Sequence, residues 1–155
     1  MENFSNLVNK DKYQVFVLGC RAHFTFGFFR HAWFVVNQKG KLWRIEVRHY
    51  KNKSAPDLGH LFLDALPPFE GINTFYLFKK PIRATEFLGI IEGDEGSPAQ
   101  KLISLLEESK KSYPFLKKYF VIGTNSNTYP KWVFSNFPEL KLKLPWNYIG
   151  KGWYT

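Results

Sequence analysis

His31-Ala32-Trp33-Phe34-Val35-Val36-Asn37-Gln38-Lys39-Gly40-Lys41-Leu42-Trp43-Arg44-Ile45-Glu46-Val47 is the stretch that decides the fold. Two runs of β-branched and aromatic residues flank a polar turn that contains a glycine, which is the pattern of a β-hairpin. With Lys39 and Gly40 in the turn, Trp33 lies opposite Glu46 and His31 opposite Arg48. Alternate side chains of a strand share a face, so His31, Trp33 and Glu46 fall on one side. Glu46 is then a diagonal neighbour of His31, placed to orient its imidazole. A slip of one residue in the turn breaks this arrangement.

Working outward, Tyr13 to Cys20, Asn73 to Phe78 and Thr85 to Ile91 read as further strands, which makes the sheet antiparallel. Residues 1–12 are polar and read as a flexible arm. Residues 48–73 carry no regular pattern, and Pro67-Pro68 ends any element there. Glu92, Asp94 and Glu95 gather in a loop closed by Gly93 and Gly96; their spacing matches no calcium loop, and they read as a solvated turn. Ser97, Pro98 and Gln100 form a capping box that opens a helix with Leu102, Leu105, Leu106 and Ser109 on one face. Glu107 and Lys111 pair along it, and Pro114 stops it. Lys118 to Ile122 reads as the last strand and Trp132 to Phe137 as a short second helix ended by Pro138. The aromatic tail, Pro145 to Thr155, is expected to pack on the body.

The 155 residues make one domain, large enough to bury a core without disulfides or metal. Hydrophobic residues make up 45% and aromatic ones 19%, which excludes a disordered chain and points to a core built of rings. No apolar run reaches the roughly 18 residues of a membrane span, and no basic-then-apolar leader opens the chain, so a cytoplasmic protein is expected. Cys20 is the single cysteine and reads as a core thiol. His23, His31, His49 and His60 have no zinc-ligand spacing, so neither metal nor cofactor is expected. The net charge is +9, with lysines and arginines in small clusters. That surface is either a solvated face or one that makes weak, sequence-blind contact with an anionic membrane or nucleic acid. The expected state is a monomer.

At the other end of the chain, Gly123-Thr124-Asn125-Ser126-Asn127-Thr128-Tyr129-Pro130-Lys131-Trp132 reads as a strand-to-helix junction. Such a junction leaves backbone N–H groups free at the helix start, together with a hydroxyl that can meet a ligand. The plainer role is that Thr124, Asn125 or Ser126 caps the helix.

An early strand histidine, a polar partner on the next strand and a late nucleophile at a helix start resemble the circularly permuted papain-like enzymes, the NlpC-type peptidases and lecithin retinol acyltransferase. Asn125-Ser126-Asn127-Thr128-Tyr129 fits their Asn-Cys-x-x-[Phe/Tyr] frame, with Ser126 at the position of the cysteine. The stretch from His31-Ala32-Trp33 through this motif to Leu144-Pro145 and Ile149-Gly150-Lys151 is similar to a bacterial family, domain of unknown function family 3750. The resemblance implies an α+β fold: an antiparallel β-sheet packed with helices in permuted papain-like order, one helix before and one after its last strand. It also implies hydrolysis or acyl transfer at an amide or ester of a small-molecule, peptide or lipid substrate. Ser126 would attack, His31 take its proton and Glu46 hold the imidazole, with Asn125, Asn127, Thr128 and Trp33 as substrate-binding candidates. That chemistry needs the Ser126 hydroxyl within roughly 4 Å of a His31 nitrogen. Serine lacks the low pKa that makes a thiol reactive at a helix start, so a second class stands beside the first: an inactive binding module using the same cleft.

Overall fold

The computed structural model describes residues 4–22, 29–72, 84–121 and 123–150. Its centre is an antiparallel sheet of five strands, β1 (Tyr13–Arg21), β2 (Arg30–Gln38), β3 (Lys41–Val47), β4 (Leu61–Leu63) and β5 (Glu86–Gly93), in the order β4-β3-β2-β1-β5. Two helices follow the last strand, α1 (Pro98–Ser112) and α2 (Thr128–Ser135). The expected strand from Asn73 to Phe78 lies outside the described residues. No helix among them is long and apolar enough to cross a membrane.

The hairpin forms in the register read from its sequence, with Phe34 opposite Ile45 and Gln38 opposite Lys41. Lys39 and Gly40 take φ of 49° and 93°, the two positive values that a type I′ turn requires. The Gly40 N–H donates to Asn37 Oδ1 at 2.7 Å, which fixes the turn.

Strand alternation divides the core into two layers. Val15, Val17, Ala32, Phe34, Val36, Ile45 and Val47 face the helices, meeting Leu102, Ile103 and Leu106 of α1 and Tyr129, Trp132 and Val133 of α2. Each such ring or branched chain removed from water is worth about 1.5–3 kcal/mol. Phe16, Leu18, Cys20, Trp33 and Val35 point the other way, toward Val8, Phe69 and Ile72.

α1 is capped as its sequence dictates. Ser97 Oγ accepts from the Gln100 N–H at 3.4 Å, while Gln100 Oε1 accepts from Gly96 N–H at 2.6 Å, one residue outside the usual box. Glu107 accepts from Gln38 Nε2 at 3.1 Å, on β2, in place of the expected contact with Lys111.

Three expectations are corrected. Residues 4–12 are docked: Phe4 is buried and stacks on Phe87, and Gln14 Nε2 donates to Leu7 O at 3.0 Å. Lys118 to Val121 is not a strand; β5 already lies beside β1, and the chain instead turns, with Lys118 N–H donating to Phe115 O at 3.1 Å. Both helices therefore come after the last strand. α2 also begins four residues earlier than its pattern suggested, at Thr128. Pro130 is the third residue of α2, where a missing N–H breaks no helical bond.

Candidate functional site

His31 and Glu46 meet as the hairpin register requires. His31 Nε2 lies 2.7 Å from Glu46 Oε2, which also accepts from Arg44 at 3.0 Å. A carboxylate only accepts, so an imidazole hydrogen sits on Nε2. Burial pushes the Glu46 carboxyl up, but the hydrogen bond and charge of His31 and the charge of Arg44 outweigh it and bring it down to about 2. Burial lowers Arg44 against the pull of Glu46.

This network faces the layer of Trp33, away from the helices. The Arg44 guanidinium lies over the Trp33 ring, 4.3 Å from its centre, and the His31 ring stacks on Trp33 at 5.9 Å. Trp33 Nε1 donates to Pro68 O at 3.0 Å and Arg44 to Pro67 O at 2.9 Å. Trp33 is fully buried, so its donor fastens the segment that crosses the sheet and does not open onto a cleft.

The junction before α2 sits on the opposite layer, since α2 packs through Tyr129 and Phe134 on Phe34. Its polar groups are largely spent on holding the chain. Asn125 Oδ1 accepts from the Asn127 N–H at 2.9 Å, and Asn125 Nδ2 donates to Val121 O at 3.1 Å. Thr128 Oγ1 accepts from the Asn125 N–H and donates to Gly150 O, both at 3.0 Å. Asn127 Nδ2 donates to Arg30 O and Ile149 O, both at 2.8 Å. Two carbonyls on one nitrogen fix that amide's orientation, and Asn127 Oδ1 is left buried without a hydrogen-bond partner.

The buried Ser126 lies next to the phenol of Tyr119. Burial pushes that phenol above its ordinary pKa, and the two Ser126 donors oppose the rise. The Tyr119 ring is held between His49 and His60, with centroids at 5.3 and 5.4 Å. No hydrogen bond joins Ser126 with His31 among the described residues. His31 and Glu46 are thus brought together, and Ser126 lies beside Tyr119.

Two contributors escaped the sequence reading. Tyr119 sits in an apolar run that mimics a strand, so nothing local marked it. Glu86 takes Arg30 at 3.2 Å and the Tyr148 hydroxyl at 3.0 Å beside Asn127's contact with β2. A charge at the head of an otherwise apolar strand was the available signal. Of the acids of the turn after β5, Asp94 pairs with Lys12 at 2.7 Å. Among the described residues no three metal-ligating side chains gather.

Residues 12–153 match the family model of a protein of unknown function, DUF3750. No curated protein and no solved structure matches the chain.

Proposed function

The chain belongs to this family of proteins of unknown function, and we propose that it is a binding module in which Ser126 acts as a hydrogen-bond donor. The observation that carries this reading is the place of Ser126, buried just before α2 with its hydroxyl and N–H beside the Tyr119 phenol, whose rise in pKa they oppose. Two donors at a helix start suit an acceptor oxygen of a carboxylate or an amide carbonyl. A ligand takes that place when the Tyr119 ring swings aside. Ser126 needs no general base for this role, in keeping with an imidazole engaged by Glu46 on the other layer.

Amide chemical shifts of Ser126 and Asn127 during titration with acetate and with N-methylacetamide test the proposal. Saturable shifts that Ser126→Ala weakens by tenfold or so, the worth of about one charge-assisted hydrogen bond, are expected. Shifts that never appear, or that ignore Ser126→Ala, would overturn it.

A second reading, hydrolysis or acyl transfer through Ser126, His31 and Glu46 in a permuted papain-like arrangement, is favoured by one observation. With Nε2 held on Glu46 at 2.7 Å, Nδ1 is the nitrogen that a general base would use. Turnover then requires Ser126 and His31 to approach each other in the substrate complex.

A further inference from the structure

We propose that the rim around the junction before α2 docks the protein on an anionic membrane surface. The carbonyls of Val121 and Ile149 are both hydrogen-bonded by junction side chains, Asn125 and Asn127, so the segments around them flank the junction on two sides. Both carry apolar side chains into solvent: Trp146 is 83% exposed, Phe120 61% and Val121 54%. Single exposed apolar groups are ordinary, but several gathered on one rim mark an interaction site.

Lys117, Lys118 and Lys143, all exposed, lie beside these groups in sequence. Between Tyr113 and Gly150 the chain has five lysines and one acid, Glu139, a local excess of four positive charges. An indole and a phenyl ring that enter the acyl boundary, ringed by lysines that meet the headgroups, form an interfacial anchor. Lysine with aromatic rings also suits single-stranded nucleic acid, where bases stack on the rings. Val121 has no face on which a base can stack, and this branched aliphatic contact favours lipid. The inference is independent of the ligand proposed for Ser126.

The test is co-flotation of the full chain with phosphatidylcholine–phosphatidylserine vesicles at low salt, beside vesicles of phosphatidylcholine alone. Binding is expected to the mixed vesicles only, and to fade as salt shortens the Debye length. Lys117→Gln with Lys118→Gln should lower the partition coefficient about 25-fold, from about fivefold per lysine near the surface. Trp146→Ala should lower it about tenfold, the worth of roughly 60 Å² of apolar surface at about 25 cal/mol per Å². Trp146→Phe should retain most of it. All these side chains are exposed, and circular dichroism verifies that the variants stay folded.

Lys101→Gln with Lys111→Gln removes the same charge from α1 and should cost less than about threefold, the long-range share of that charge. Absent flotation, an unaffected Trp146→Ala, or an equal loss from the α1 pair overturns the proposal. So does a rim whose variants weaken binding of a single-stranded oligonucleotide and leave vesicle binding unchanged.

Discussion

Replacing Glu46 with glutamine keeps the shape of the side chain and removes its charge. Glu46, Arg44 and Trp33 have no solvent exposure, so the guanidinium left behind would be buried without a counter-charge. A carboxyl held at about 2 in place of an ordinary 4.5 corresponds to about 3 kcal/mol at roughly 1.4 kcal/mol per tenfold. Breaking a buried pair by removing one partner costs about 3–5 kcal/mol, which agrees. With a urea slope of about 2 kcal/mol per molar, Glu46→Gln should lower the unfolding midpoint by about 1.5 M. The sign of the pH dependence follows from a carboxyl that is depressed in the folded state. Its stabilisation is present above about pH 4.5 and is lost as pH falls through about 2. The gap between wild type and variant should therefore shrink across that window. A loss below about 1 kcal/mol at neutral pH, the range of an exposed pair, would refute this account of the network. A gap that stays constant down to pH 2 would refute it equally.

Gly150→Ala is expected to destabilise by 2 kcal/mol or so, because a Cβ there meets the Asn125 side chain and Gly150 holds φ of +100°; thermal unfolding measures the loss. Ser97→Ala removes the side-chain cap of α1 and should cost about 1 kcal/mol, or roughly 2–4 °C in Tm, by calorimetry.

The hairpin and its buried pair were legible because period, turn chemistry and burial agree in residues 31–47. Local rules decide that register, and the partnership of His31 with Glu46 follows from it. Ser97 to Pro114 was legible for a similar reason, since cap and stop are written in adjacent residues. Lys118 to Val121 misled because its rings answer distant groups. Tyr119 packs on His49 and His60, and a sequence pattern cannot separate that from strand packing. The start of α2 was hidden by Pro130, which reads as a breaker unless the first turn is already located. Arg44 looked like one basic residue among many, yet it is fully buried. Glu46, two residues along the same strand, and the carbonyls of Pro67 and Glu70 from the segment that crosses the sheet supply its partners.

The central claim is that Ser126 donates hydrogen bonds and is not activated for attack, and the reactivity of Ser126→Cys tests it most directly. The measurement is the alkylation rate against pH, in a background carrying Cys20→Ala, with and without His31→Ala. The account predicts a rate that rises only near the free thiol's value of about 8.5 and is the same in both backgrounds. A thiol that reacts rapidly well below that pH, and slows when His31 is removed, would contradict it and establish a poised Ser126–His31–Glu46 centre.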